Sequence, residues 1–433
     1  MQTESNTYAR ELLSFIEKSP SPFHVVKNLG KILESHGFVP LSEKEPWSLG
    51  KGKYFVTRNN SSIISFTIPR NDFSSFKIAA SHSDSPTFKV KENPEIRSGG
   101  ATVLNVEKYG GMILSPWFDR PLSVAGRVML RKNAAEGKIS VEQKLVESGR
   151  DLLLIPNLAI HMDRETNEGR KINVQNEIRP VMALGENASL MEHIAGEIGA
   201  DAKDIISHDL FLYVRSAGTI WGEDGEFMAS PKLDDLECVW TTMRGFLEAA
   251  EKDDVCVHAV FDNEETGSQS MQGAASSFLS DTLARISRAL GKTADEHCAL
   301  LSKSFMVSAD NAHALHPNYA EKSDPVNRPK INGGVVIKFN AAQKYTTDSL
   351  SAAVFKEICR KAGVPFQIFT NNSNIAGGST LGNISLSHVS VPCVDIGLAQ
   401  WAMHSPYESA GTKDVDYMIR AAKAFYEAEI EII

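Results

Sequence analysis

The sequence predicts an α/β protein: a mainly parallel sheet flanked by helices and interrupted by an inserted β-rich domain. Two observations lead there. Val255–Phe261, Phe305–Ala309 and residues 391–398 are short apolar runs of the kind buried on both faces of a parallel sheet, and helical stretches follow at residues 271–290, Ser349–Ala362 and residues 414–432. Between about residues 91 and 230 the texture changes to period-two alternation broken by glycine pairs.

Taken in order, Tyr8, Leu12, Phe15 and Ile16 recur at helical spacing until Pro20 and Pro22 end the segment. Ser21 is placed to cap a second helix with Pro22 at its first position; Val25, Val26, Leu29, Ile32 and Leu33 form its apolar stripe, and Gly37 follows its end. Strands are expected at Ser62–Ile68 and residues 76–80, the latter delivering His82. In the inserted stretch, Leu122, Val124, Val128 and Leu130 alternate with Ser123, Arg127 and Arg131, which reads as a half-exposed strand. A helix at residues 188–198 and a strand at 210–214 complete that module. Leu233, Leu236, Val239, Trp240, Met243 and Leu247 then mark a long amphipathic helix with Asp234 in its first turn. The simplest organisation is one discontinuous α/β domain, residues 1–90 and 231–433, interrupted by an inserted β-rich domain, residues 91–230.

Composition narrows the function classes. With 433 residues, 42% of them hydrophobic and 23% charged, the chain is ordinary globular material. A net charge of −9 argues against a general nucleic-acid or anionic-membrane partner. The five cysteines are odd in number and scattered, with no Cys-x-x-Cys, so reduced core thiols in a cytoplasmic protein are expected rather than a disulfide framework or a thiolate zinc site. No basic-then-apolar leader opens the sequence and no apolar run approaches a membrane span.

Chemistry concentrates in five short segments, four of them at the end of an apolar run: Ser81-His82-Ser83-Asp84, Lys232-Leu233-Asp234-Asp235, Asp262-Asn263-Glu264-Glu265-Thr266-Gly267, Ser308-Ala309-Asp310-Asn311 and Ala402-Met403-His404-Ser405. Two imidazoles with several carboxylates suit zinc, cobalt or manganese, and a carboxylate left over beside a ligand is the proton carrier that a water-activating metal site needs. Asp84, two residues after His82, is placed to orient that imidazole. Parallel sheets gather ligands at the carboxyl ends of their strands, so one edge can collect His82, the Glu264-Glu265 pair and Asp310. No Gly-x-Ser-x-Gly elbow offers a serine nucleophile.

The ordered set resembles the M18 metallopeptidases, the aspartyl aminopeptidase family. The likeness runs through Ser19-Pro20-Ser21-Pro22-Phe23-His24, Ser81 to Pro86, Ile155 to His161, Asp262 to Ser268, Gly377-Gly378-Ser379-Thr380-Leu381-Gly382 and Ala402 to Ser405. It implies a dinuclear-metal aminopeptidase-type sheet and two Zn2+ per subunit, with Co2+ or Mn2+ as substitutes. Asp234 would bridge the metals, His82 and Asp310 would complete one site, and Glu265 and His404 the other. Glu264 would be the base that activates the attacking water. The resemblance also implies substrate contacts from His161, His313, Lys338 and Tyr345, with the inserted domain serving oligomerisation and substrate access and its His161 reaching a neighbouring subunit's site in a homododecamer. For Lys338 there is a physical reason as well: a lysine following Val335-Val336-Ile337 needs a partner, and a substrate carboxylate would supply one. The expected activity is removal of an N-terminal residue, Asp or Glu by preference. The alternatives are an M18-like aminopeptidase of broad or neutral preference and, from a different class, a non-catalytic assembly protein on the same fold.

Overall fold

The computed structural model describes residues 2–133 and 137–431. The chain divides into two compact units, one holding the chain up to Asp84, Gly218–Met403 and the chain from Glu408 onward, the other Ser85–Ala217 with His404–Tyr407.

The first unit is built on a nine-stranded sheet. Its order is Val39–Leu41, Gly52–Arg58, Ser62–Ile68, Val255–Phe261, Phe76–His82, Phe305–Ala309, Cys393–Gly397, Val335–Phe339 and Phe366–Thr370. The central run from Val255–Phe261 through Phe76–His82 and Phe305–Ala309 to Cys393–Gly397 is parallel throughout. Antiparallel pairing enters on either side, at Ser62–Ile68 and between Val335–Phe339 and Cys393–Gly397. These central strands are buried along their whole length. Alternate side chains feed two cores: Val255, Val257, Ala259 and Phe261 join Phe278 and Leu283 on one face, and Cys256 and Val260 join Val239 and Met418 on the other. That double burial is why the strands read as unbroken apolar runs.

Helices Gln2–Glu17, Pro22–Ser35, Leu233–Glu248, Ser349–Ala362 and Thr412–Glu427 supply apolar faces to the second of these cores. Pro22 does occupy the first turn of its helix, but the Ser21 hydroxyl meets His24 Nδ1 at 2.8 Å instead of capping the backbone. The helix expected from residue 271 starts at Phe278. Before it, the Gln272 carbonyl accepts from the Ser62 hydroxyl at 2.6 Å and from the Asp262 amide at 3.3 Å, so these residues tie down the loop that carries Glu264. A five-stranded sheet, Thr219–Trp221, Phe227–Ser230, Glu408–Gly411, Ala399–Trp401 and Ala312–His313, adds to the unit.

The second unit is a six-stranded antiparallel sheet ordered Ser140–Glu147, Leu122–Lys132, Ile205–Val214, Thr87–Ser98, Ala101–Tyr109 and Val181–Leu184. Phe88, Leu104, Val124, Val128, Leu210 and Leu212 pack with Ile194 of helix Leu190–Ile198 in its core. Ser123, which alternation places on the exposed face, is buried and donates its hydroxyl to the Ser148 carbonyl.

Candidate active site

Sheet register decides which residues meet. His82 ends its strand directly beside Phe261 in the neighbouring parallel strand, so Glu264 and Glu265, three and four residues further on, emerge at the same edge. Asp310 follows the strand Phe305–Ala309, which pairs with Phe76–His82 on its other side. Asp234 and Asp235 have non-helical dihedral angles at the start of Leu233–Glu248, so the regular helix begins beyond them; the peptide bond joining them is cis. Gly397, at the end of the next strand, has a practical role: a Cβ there would lie 2.0 Å from the Asp310 carbonyl oxygen. Lys232 and Asn263, each just before an acidic pair, hold the left-handed conformation that costs non-glycine residues about 1 kcal/mol or more.

His82 Nε2 lies 3.5 Å from Asp234 Oδ1 and 4.0 Å from Asp235 Oδ2. Its Nδ1 sits 3.1 Å from the Asp84 carbonyl and 3.4 Å from the Asp84 carboxylate, which suits a proton on Nδ1 and leaves Nε2 as the donor to a metal. The same Asp84 carboxylate accepts the amides of Glu264 and Glu265, both at 3.1 Å, and so fixes the turn Glu264–Thr266. Asp235 Oδ2 accepts the His82 amide at 3.2 Å, and Glu408 Oε2 accepts the Asp234 amide at 3.0 Å. His82, Asp234, Asp235 and Asp310 offer ligand atoms all within 4.8 Å of one another, and His82, Glu264 and Glu265 form a second such group.

Six carboxylates thus converge on one imidazole. Burial first, then mutual repulsion, pushes Asp235 and Glu265 well above the ordinary carboxylate range and Glu264 to about 8. Burial pulls His82 down, but Asp235, Asp234 and Asp84 more than offset it and hold it well above its usual value. Carboxylates crowded this way keep protons until a cation replaces them, so the donor set fits a divalent metal, and nitrogen with oxygen suits zinc. Asp235 belongs to this cluster beside Asp234, and the acidic doublet is the signal for it in the sequence.

The other expected site residues are placed as follows. Lys338 lies on Val335–Phe339, almost fully buried, with its ammonium donating to the Asp310 carbonyl at 2.7 Å and lying 3.6 Å from Asp310 Oδ2. Burial opposes its charge, yet Asp310 and then Tyr345 and Asp395 raise its pKa above the usual lysine value. The partner that a lysine on an apolar strand needs is therefore found within the protein. Tyr345 is buried with its ring 5.2 Å from that ammonium, and Phe369 packs against the rings of both Tyr345 and His313. His161 occupies an exposed turn of the second unit. His404 also falls in the second unit, in the left-handed conformation, with its carbonyl accepting the Ile113 amide.

The profile of a family described as aminopeptidase I zinc metalloprotease (M18) matches residues 15–426. The chain belongs to the M18 family. A "Probable M18 family aminopeptidase 2" of Clostridium acetobutylicum is 47% identical over 428 residues, 97% of this chain and 98% of that protein. One of Pseudomonas fluorescens SBW25 with the same name is 40% identical over 425 residues, covering 96% and 97%. Among solved structures, a chain of the Ape4 and Nbr1 complex superposes with a TM-score of 0.94 at 36% identity, covering 99% of this chain and 86% of that one. The S. cerevisiae mApe1 dodecamer gives 0.86 at 26% identity, covering 98% and 97%. This M18 chain is a metal-dependent aminopeptidase whose cofactor is zinc. No helix among the described residues is long and apolar enough to cross a membrane.

Proposed function

We propose that the enzyme holds two zinc ions per subunit and removes N-terminal Asp or Glu from peptides. The overlap of the ligand groups supports this reading: Asp234 stands in one group with His82 and Asp310 and in another with Glu265, so the donors divide into two sets around a shared carboxylate. His404, the remaining ligand by resemblance, would serve the second ion with Glu265. Bound zinc would polarise the scissile carbonyl and activate water. The chain's own residues do the rest. Glu264 accepts the proton of the attacking water and passes it to the departing amine, so no acyl-enzyme forms. Asp84 keeps this base and the His82 ligand in fixed relation through its three contacts.

For acidic preference, the support is Lys338 beside Tyr345. Once metal shares the charge of Asp310, the ammonium is less fully neutralised and favours an entering carboxylate over an apolar side chain. The bond from Lys338 to the Asp310 carbonyl favours the second reading, broad or neutral preference, because it already satisfies the lysine. A panel of N-terminal residues assayed at saturating zinc decides between them. Acidic preference predicts kcat/KM for Asp and Glu above that for Leu by at least about tenfold, and Lys338→Met erasing most of that difference per bound zinc. Equal rates on Leu and Asp would establish the broad reading.

The assembled form is proposed to be a homo-oligomer in which His161 reaches a neighbour's site. Supporting it are the dodecamer of S. cerevisiae mApe1 and the exposure of Leu158, Ile160 and Met162 around His161.

A further inference from the structure

Asp395 is a fully buried carboxylate on the strand Cys393–Gly397, and the catalytic reading gives it no task. Its surroundings do. Oδ2 accepts both the backbone amide of Thr346 and the Thr346 hydroxyl, the latter at 2.7 Å. Oδ1 accepts the Thr380 hydroxyl at 2.7 Å. Thr346 directly follows Tyr345, while Thr380 lies in the Gly377-Gly378-Ser379-Thr380-Leu381-Gly382 run. One carboxylate therefore holds two loops that are 34 residues apart in sequence, counting 380 less 346.

Other bonds join the same loops. The Thr380 amide donates to the Lys344 carbonyl at 3.3 Å, and the Lys344 ammonium donates to the Gly377 carbonyl at 2.8 Å. The Thr347 hydroxyl accepts the Asp395 amide at 2.9 Å, pinning the first loop to the strand as well. The last glycine of the run is explained by the same contact. A Cβ on Gly382 would stand 3.0 Å from Asp395 Oδ1 and 2.7 Å from Ser308 Oγ, so a side chain there would force the carboxylate or the serine away.

We infer that Asp395 is a positioning residue for catalysis: it locks the Tyr345 loop and the Gly377–Gly382 loop into one element, and so sets where Tyr345 stands relative to Lys338. Hydrogen bonds to a buried carboxylate are among the stronger ones, and leaving one of its lone pairs unmet costs more than losing an exposed bond. A break at Thr380 should therefore be felt at Tyr345, through Asp395 and the backbone of Thr346. The kinetic consequence rests on the proposed contact between Tyr345 and substrate.

The test is Thr380→Val in the metal-loaded full-length enzyme, an isosteric change that removes the hydroxyl, with Thr380→Ser as the rescue. Amide exchange over residues 340–348 should speed several-fold in the valine variant and return to the wild-type rate in the serine variant. KM for an aminoacyl substrate should rise about tenfold with kcat changed much less and zinc content unchanged. Thr346→Val, which removes the second hydroxyl, should do the same and stands in if the first variant does not fold. Wild-type exchange over 340–348 in a folded Thr380→Val enzyme, or an unchanged KM despite faster exchange, would overturn the inference. Tyr345→Phe separates the two readings. If it leaves KM unaltered while Thr380→Val raises it, the Tyr345 contact fails and the Asp395 clamp stands.

Discussion

Glu264 shows how a single position acquires its chemistry from neighbours the sequence does not place beside it. Its amide is held by Asp84, 180 residues earlier in the chain, and its carboxyl is pushed to about 8, by burial first and by Asp310, Asp84 and Asp234 after it, against the pull of His82. Cations held by those side chains would oppose the repulsion and lower that pKa, which would suit the proposed role of Glu264 as base. Glu264→Gln keeps the shape and the Asp84 contact but cannot accept a proton. Turnover should fall by about 10²–10⁴-fold or more while zinc per subunit, measured by elemental analysis, matches wild type. Activity near wild type would remove Glu264 from the role of base; loss of zinc would make it a ligand. Lys338 teaches the opposite lesson about single residues. Its need for a partner is legible in the apolar run before it, but that the partner is Asp310 depends on two strands separated in the sheet by Cys393–Gly397.

Among the elements, those that cross the middle of the sheet are legible in the sequence, because a strand covered on both faces leaves an apolar run and its proposed ligand appears at the run's end. His82 and Asp310 are such cases. Strands of two to four residues, such as Ala312–His313 and Glu408–Gly411, are too short to show a periodicity, so the five-stranded sheet leaves no signal in the sequence. Helix Phe278–Ala289 starts later than its apolar spacing predicts for a related reason: the Gln272 carbonyl is engaged by Ser62 and Asp262 at the loop carrying Glu264, a tertiary demand that overrides local propensity. One buried element contact has a consequence for stability. His258, on Val255–Phe261, faces Thr242 at 3.0 Å and stacks on Phe246 of helix Leu233–Glu248. Burial lowers its pKa from 6.5 to about 3. Between those values the unfolded chain binds a proton that the folded chain refuses, so stability is present above about pH 6.5 and lost as pH falls toward 3. His24, lowered to about 4 chiefly by burial, acts in the same direction. From pH 7.5 to 5.5, His258 alone should withdraw about 1 kcal/mol. In urea unfolding, His258→Asn should lower stability at pH 7.5 yet show a shallower decline toward pH 5.5; parallel declines would mean that His258 does not titrate on unfolding.

At the scale of the whole molecule, the second unit contributes His161 on an exposed turn, with Leu158, Ile160 and Met162 exposed nearby. A cluster of apolar side chains around a polar residue is the surface expected of a self-association patch, and closed symmetric assemblies are the usual product of such patches. The chain mass is 47.4 kDa, so light scattering should report a large multiple of that value for the active species. An active monomer would contradict both the assembly and a role for His161 in a neighbour's site. Complementation examines the second point directly. Subunits carrying His161→Ala keep Glu264, and subunits carrying Glu264→Gln keep His161, so each homogeneous assembly should be nearly inactive. Unfolded together in equal amounts and reassembled at random with zinc, about a quarter of the sites would pair an intact Glu264 with an intact neighbouring His161, and activity should return to about that fraction of wild type. If His161 served its own subunit's site, every subunit in the mixture would still carry one lesion and nothing would be regained.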